Sequence, residues 1–356
     1  MENPPSRLLL ELPILVLEKI LKKLTPRNLI AFSFTSINAT RICKAIRQRI
    51  DRLFIFIQFE SDRVMIKVMK VGIRGVPEYE GGLAIYNKDL PFNDKSLIYS
   101  SNYELGINTG RRAFDLLLVS HCRQQQMEAV KLSLQHICAI YRSPVKRITV
   151  DTNSYPKFTE LFIWKHLKTC DDVEFVGTGL EASERNKFFR IFEVKNRLKV
   201  WRFKGTPKNI NDNINLSLHF SKLRNLKLVD LYSAPWFSNH HLLKVNNRVI
   251  DVRNTKITSV GVNKWLKAWM TRRTDEKMIA MKIHAQKPFD RAVVLRDIPW
   301  VDEDNDPRVK NLALGTFYLS CIQGKPCITR RDGSVAHVQI LRSKVQIYIR
   351  YPGVNF

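Results

Sequence analysis

The chain has 356 residues, with 59 Lys+Arg against 33 Asp+Glu and a formal net charge of +26. Its length suggests about two domains, or a small module beside a larger one. With 44% hydrophobic residues and only 14 Gly and 15 Pro, it is neither collagen-like nor low-complexity, and the composition argues against general disorder. The six cysteines, Cys43, Cys122, Cys138, Cys170, Cys321 and Cys327, are dispersed and form no Cys-x-x-Cys pair. That suits buried thiols in a reducing compartment better than a secreted scaffold. The apolar residues 8–21 are broken by Glu11, Pro13 and Glu18, and no small-residue cleavage site follows, so no signal peptide is expected. No apolar run is long enough to span a membrane. The expected setting is cytoplasmic, nuclear or both.

The first predicted helix opens at Leu12-Pro13 and runs to Leu24. Leu17, Ile20, Leu21 and Leu24 recur at i, i+3, i+4 and i+7, one face of a helix. Thr25-Pro26 signals a second helix, with a threonine N-cap and proline at the first helical position. Ser36 can cap a third, in which Ile42, Ile46 and Ile50 recur every four residues. Three short helices bury too little surface to stand alone, so their excess apolar residues need a partner or the rest of the chain.

These residues resemble an F-box. The pattern is Leu12-Pro13 with Val16, Leu17, Ile20, Leu21 and Leu24, then Asn28-Leu29, Phe32-Ser33-x-Thr35-Ser36, Ile46 and Arg49. Asn28 replaces the aspartate common before the leucine of helix two. The resemblance implies a docking surface for a Skp-type adaptor, formed by Leu12, Pro13, Val16, Leu17, Ile20, Leu24 and Leu29. Through that adaptor the chain would join a cullin ubiquitin ligase, and the chemistry would be the ligase's.

Beyond the F-box, Leu53, Ile55, Ile57 and Phe59, then Val64, Ile66 and Val68, alternate as two strands around a turn at Glu60-Ser61-Asp62. Residues 72–82 read as loop and residues 83–110 as an irregular connector. A helix is expected from Arg123 to Tyr141, with Val130, Leu134, Ile137 and Tyr141 on one face. A leucine-rich pattern, L-x-x-L-x-L, then recurs about every 25 residues. Its units are Val145/Ile148/Val150, Cys170/Val173/Phe175, Leu198/Trp201/Phe203, Leu223/Leu226/Leu228, Asn247/Ile250/Val252 and Met278/Met281/Ile283. Helical stretches are expected between them over residues 158–167 and 181–192. Stacked strand–helix units would bury those positions between neighbours. An ordinary α/β domain with evenly spaced strands is the alternative.

Residues flanking the buried positions would face a concave solvent side. Counting three per unit gives six cations, Arg147, Arg202, Lys204, Lys227, Arg253 and Lys282, and four anions, Asp151, Asp172, Glu174 and Asp251. Six minus four leaves +2, against +26 for the chain. A phosphate-binding face should be far more one-sided, whereas mixed charge suits a protein partner. From this set Arg147, Glu174, Arg202, Lys227, Asp251 and Lys282 are the expected substrate-binding residues. A basic nucleic-acid-binding protein is the alternative function, prompted by the net charge. The densest basic stretch, residues 195–208, interleaves Trp201 and Phe203, but no block of five like charges occurs.

Ala234-Pro235-Trp236-Phe237 precedes His240-His241-Leu242-Leu243, and Trp265 and Trp269 share one face of a helix over residues 263–270, where the core is the expected place. The tail reads as strands over residues 316–321, 336–341 and 345–351, with a turn at Asp332-Gly333. These segments look like the second-type F-box-associated domain that follows the F-box in a large, diversified nematode family. That resemblance implies substrate recognition.

The expected fold is therefore α/β: a three-helix F-box, a leucine-rich-repeat-like strand–helix solenoid, and a terminal antiparallel β-sheet. The expected divisions are residues 7–50 for the F-box, 51–144 for a strand hairpin and connector ending in a helix, 145–285 for the recognition domain, and 286–356 for the β cap. No phosphate loop, nucleophile elbow or zinc spacing is present; His121-Cys122, His136-x-Cys138 and His166-x3-Cys170 fit none. The acidic run Asp302-Glu303-Asp304-Asn305-Asp306 lacks the glycine and glutamate of an EF-hand. No enzyme activity, cofactor or metal is expected.

Overall fold

A computed structural model describes residues 12–46, 53–71, 77–86, 96–100, 103–107, 115–119, 123–177, 181–200, 219–224, 226–271, 278–303, 313–314, 317–318 and 325–352. The chain is mixed α/β and divides into two compact units. One holds residues 1–155 and 160–170, the other residues 156–159 and 171–356.

The first unit begins with three helices, α1 (Ile14–Leu21), α2 (Pro26–Ser33) and α3 (Ile37–Ile46). Their starts reflect the local chemistry. Thr25 Oγ1 accepts the Asn28 N–H at 3.3 Å, with Pro26 opening α2, and Ser36 Oγ accepts the Ala39 N–H at 3.0 Å. Leu17, Leu21, Leu29, Ile30, Ala39 and Cys43 form the core of the bundle. Part of the remaining apolar surface, around α2, is covered within the unit by α4 (Arg123–Tyr141). Tyr141 donates its hydroxyl to the Pro26 carbonyl at 2.6 Å. Ser33 Oγ lies 2.8 Å from His136 Nε2, and the Phe34 and His136 rings are 4.4 Å apart. Burial, with Lys44 nearby, pushes His136 down to about 4, so the imidazole is neutral at physiological pH.

Strands β1 (Leu53–Phe59) and β2 (Arg63–Val71) form the expected antiparallel hairpin. Beyond them the expectation fails. Residues read as loop and connector form β3 (Pro77–Tyr86), β4 (Ser96–Ser100) and β5 (Tyr103–Ile107); β6 (Asp115–Val119) follows, and β7 (Val145–Asp151) completes the sheet. The order is β7-β1-β2-β3-β6-β5-β4. In β3, residues 81–85 are buried without interruption, so the period-two alternation that marks a strand facing water is absent. Gln126 of α4 donates to the Ile85 carbonyl at 2.8 Å, tying helix to sheet.

The second unit is built around β8 (Thr169–Val176), β9 (Glu193–Val200), β10 (Leu228–Leu231), β11 (Val249–Thr255) and β12 (Ala280–Ala285). Neighbours from β9 to β12 pair in parallel. Helices lie between them in sequence: α6 (Ala182–Ile191), α7 (Phe220–Leu223), α8 (Asn239–Leu242) and α9 (Ser259–Met270), while α5 (Phe162–His166) precedes β8 and belongs to the first unit. After α10 (Arg291–Val294) come β13 (Val301–Glu303), a ribbon of β14 (Ala313–Leu314) and β15 (Phe317–Tyr318), then β16 (Lys325–Thr329), β17 (Val335–Leu341) and β18 (Lys344–Arg350). The sheet of this unit runs β13-β16-β17-β18-β12-β11-β10-β9-β8, with β18 antiparallel to β12. The tail turn forms at Asp332-Gly333, where Gly333 takes φ +80°.

The parallel register corrects two repeat units. Val200, Leu231, Val252 and Ile283 stand side by side, as do Leu198, Val229, Ile250 and Met281, and all eight are buried. The β10 unit is therefore Leu226/Val229/Leu231, three residues later than Leu223/Leu226/Leu228. The β9 unit is centred on Leu198 and Val200, three residues earlier than Trp201/Phe203, which lie outside the described residues. Leu223 instead closes α7, and Leu228 is only half-buried. Two residues before β11, Asn247 fills the first position as a buried clamp, its Nδ2 donating to the Leu223 and Leu226 carbonyls at 2.8 and 2.7 Å. Trp265 and Trp269 of α9 are fully buried, as expected of a core pair.

Candidate functional site

Two surfaces carry the residues that the sequence singles out, one in each unit. In the first unit, burial divides the α1 stripe. Leu17 and Leu29 are each 2% exposed and belong to the bundle core. Leu12, Ile20 and Leu24 are half-buried, and Pro13 and Val16 are exposed. The i, i+3, i+4, i+7 face therefore turns inward, as an amphipathic stripe does. The adjoining surface presents Pro13, Leu15 at 70% exposure and Val16 at 43%, and Ile37 at the start of α3 is 73% exposed. Sequence reasoning missed Leu15 and Ile37. Leu15 falls off the periodic stripe, and that position off the core face was the available signal.

Arg147, an expected substrate contact, lies in this unit on β7. Phe56 stands opposite both Lys67 and Arg147, and the two cations lie 5.3 and 5.5 Å from its ring centroid. This is a cation–aromatic–cation row across three strands.

In the second unit, the face opposite the helices carries a row of ionised side chains. Lys199, Asp230, Asp251 and Lys282 are register neighbours on β9 to β12, and Gln346 of β18 and Gln339 of β17 extend the row. Lys199 Nζ lies 3.6 Å from Glu174 of β8, and Lys282 Nζ lies 3.7 Å from Asp251. Arg253 reaches back to Asp251 at 3.1 Å and places its guanidinium 5.0 Å from the Tyr232 ring centroid. The row is only partly open to water. The side chains of Lys199 and Asp251 are each 6% exposed, those of Lys282 and Glu174 22% and 23%.

Of the expected contacts, Glu174, Asp251 and Lys282 meet here. Asp251 is too buried for direct contact with a partner and positions Arg253 and Lys282 instead. Lys227 is exposed, and its backbone carbonyl accepts the Val249 N–H at 2.8 Å. Arg202 lies outside the described residues. Lys199 and Asp230 are the residues missed, each displaced by three positions from Arg202 and Lys227. The slip in repeat register caused both errors, because the alternative match Leu226/Val229/Leu231 has the same spacing.

Asp230 stands beside Asp251. Burial first, and then Asp251, push its carboxyl up to about 6, against opposing pulls from Lys199, Arg253 and Arg197. The folded pKa lies above the ordinary value of 3.8, so the charged form is penalised in the folded state above about pH 6. That penalty is relieved as pH falls from about 6 toward 4. Asp230→Asn is therefore expected to stabilise the protein at about pH 8 by about 1–2 kcal/mol, with the gain vanishing by about pH 4. Urea unfolding at both pH values checks this; an equal effect at both would remove the charge argument.

Among the described residues no group of three or more His, Cys, Asp and Glu could hold a metal ion, and no helix is long and apolar enough to cross a membrane. Burial pushes the thiols of Cys43 and Cys138 up to about 11, so both are protonated at physiological pH.

Residues 9–56 match the F-box domain family, and residues 218–283 match the family described as F-box associated. No curated protein and no solved structure matches the chain. The first match contains the exposed apolar surface of α1 and α3. The second contains β10, β11 and the first four residues of β12, with Asp230, Asp251, Arg253 and Lys282.

Proposed function

We propose that this chain, an F-box protein with an F-box-associated domain, is a non-catalytic substrate receptor of a Skp–cullin–F-box ubiquitin ligase. The two domains together fit that role, and F-box proteins are generally non-catalytic adaptors. One observation carries the proposal: the segment matching the F-box leaves Pro13, Leu15, Val16 and Ile37 in water. Isolated exposed leucines are ordinary, but four apolar residues on one small helical segment suit a protein partner. In this proposal they form the centre of the adaptor interface, with Leu12, Ile20 and Leu24 at its half-buried margin and Leu17 and Leu29 supporting it from the core.

The captured protein is assigned to the second unit. The parallel β9–β12 run with its helices, its inward apolar rows and the Asn247 clamp supports a leucine-rich-repeat-like recognition domain within residues 145–285. The tail sheet then acts as a cap over residues 286–356, and residues 7–50 and 51–144 supply the F-box and its supporting sheet. Glu174 and Lys282 are direct contacts in this scheme, and Arg147 contributes separately from the first unit. The mixed charge of the row favours a protein target over nucleic acid. The proposed setting is the cytoplasm, the nucleus or both.

Co-expression with a Skp-type adaptor tests the proposal. A one-to-one complex is expected to survive size-exclusion chromatography and to bind a cullin. A well-folded chain that elutes alone in the presence of adaptor would overturn it.

A further inference from the structure

Where the charged row reaches β11, β12 and β18, cations outnumber the carboxylates facing them. Lys344 stands directly across from His284, and Gln346 directly across from Lys282. Asp251 stands beside Lys282 on the neighbouring strand and takes Arg253 through two contacts, at 3.4 and 3.1 Å. Among the described residues three cations, Arg253, Lys282 and Lys344, thus stand around the Asp251 carboxylate. Asp230 is one strand further away and is itself only weakly acidic.

Two further observations point to a ligand at this place. Among the described residues the buried Nε2 atom of His284 has no hydrogen-bond partner, and neither has Oε1 of Gln346, a residue only 2% exposed. A half-turn of the Gln346 amide exchanges its acceptor for two N–H donors. The backbone is also shaped here. Between Val252 and Thr255, β11 carries one residue more than β12, and Asn254 adopts the left-handed φ of 57°. The bulge is pinned by the Ala234 N–H on the Arg253 carbonyl at 2.8 Å and by Gln286 on the Asn254 carbonyl at 3.3 Å. Bulges re-aim side chains beside binding sites, and this one carries Arg253.

The electrostatics agree. Burial, reinforced by Lys282 and Arg253 and opposed by Asp251, holds the Lys344 ammonium below its ordinary range. Burial pushes His284 down to about 4, with Lys282, Arg253 and Lys344 adding to it against Asp251. Each cation destabilises the others, and an entering anion relieves all of them.

We propose that Lys344, Lys282, Arg253 and His284 form an oxyanion pocket that receives one carboxylate or phosphoryl group on an extended segment of the captured protein. The inference rests on the receptor proposal and names the chemistry of its target. A polynucleotide fits less well, because Glu174, Asp230 and Asp251 along the same row repel successive phosphates.

The test uses the full chain co-purified with its adaptor and carrying isotope-labelled histidine rings. Inorganic phosphate is expected to raise the His284 pKa by about one unit, since a neighbouring anion favours the imidazolium. Its ring signals, assigned through His284→Gln, then shift most between about pH 4 and 5. Lys344→Met, with circular dichroism unchanged, is expected to weaken the phosphate effect at least tenfold. Alanine-serine peptides bearing one glutamate, one phosphoserine or one glutamine then compete with phosphate. Competition by the glutamate or the phosphoserine peptide, but not the glutamine control, supports the pocket and identifies which anion it takes. The proposal is overturned if His284 responds to phosphate no more than the other histidines, or if the glutamine peptide competes equally. It is also overturned if only a thymidine oligonucleotide binds, with steep salt dependence. Adaptor retention is read on the same samples. Its loss sinks the receptor proposal, whereas an unmoved His284 with adaptor retained sinks the pocket alone.

Discussion

Replacing Leu15 and Val16 together by aspartate is expected to abolish adaptor binding while leaving the unfolding midpoint unchanged. Their exposures of 70% and 43% mean that neither contributes much to the bundle core. In a complex both would be desolvated, and an unpaired carboxylate buried in an apolar interface is strongly unfavourable. A fall in affinity of about a hundredfold corresponds to roughly 3 kcal/mol, within the range of an interface hot spot. Titration calorimetry against a Skp-type adaptor reads the loss, and thermal circular dichroism reads the fold. The companion variant is Leu17→Ala. Leu17 is 2% exposed, so the alanine leaves a cavity and costs about 2–5 kcal/mol of stability. Its adaptor binding is expected to weaken only as far as the bundle unfolds. The opposite pattern, full binding by the aspartate pair and lost binding by a folded Leu17→Ala, would place the docking face on the inner stripe.

That contrast shows how far the sequence could be followed. Helix caps are local chemistry, so Thr25, Pro26 and Ser36 mark α2 and α3 correctly, and the β1–β2 hairpin shows in its alternation. Orientation is not local. A period of about 3.6 residues identifies an apolar face but not whether the chain's own core or a partner covers it. Only the packing of α1 on α3 within the bundle decides that Leu17 turns inward. Strand β3 escaped for a related reason: its buried residues 81–85 run without interruption, and the Gly81-Gly82 pair reads as a turn. The three-residue slip in the repeat arose where leucines are dense enough for L-x-x-L-x-L to fit twice. Cross-strand register chooses between the fits, and register depends on contacts distant in sequence. The same limit hid His284 and Lys344, which lie far apart in the chain and become neighbours only when β18 pairs with β12.

The helix that connects β11 to β12 supplies the second large effect, because a glycine there admits no side chain. A Cβ at Gly261 would stand 1.9 Å from Asn239 Oδ1 and 2.3 Å from its Cγ. The Asn239 side chain cannot yield freely. Its Oδ1 accepts the Thr258 N–H at 3.0 Å, and its Nδ2 donates to Thr258 Oγ1 at 3.0 Å. Thr258 is the N-cap of α9, its Oγ1 accepting the Gly261 N–H at 3.3 Å. One methyl group therefore disturbs the link from α8 to α9 and the cap together. Gly261→Ala is expected to destabilise the protein by about 1–3 kcal/mol, the scale of a lost cap plus a lost side-chain hydrogen bond. Alanine's better helix propensity, about 1 kcal/mol, opposes the loss only in part. Asn239→Gly provides the control, since it removes the obstructing atoms. Alone it forfeits the two Thr258 contacts, but in its background Gly261→Ala should cost nothing or stabilise slightly. Denaturant unfolding of the four proteins measures the coupling. Additive costs would show that Asn239 is not the obstacle. Strong coupling would place this contact among those that fix α9 between the strands carrying Arg253 and Lys282, so the same glycine would help hold the two cations at their spacing.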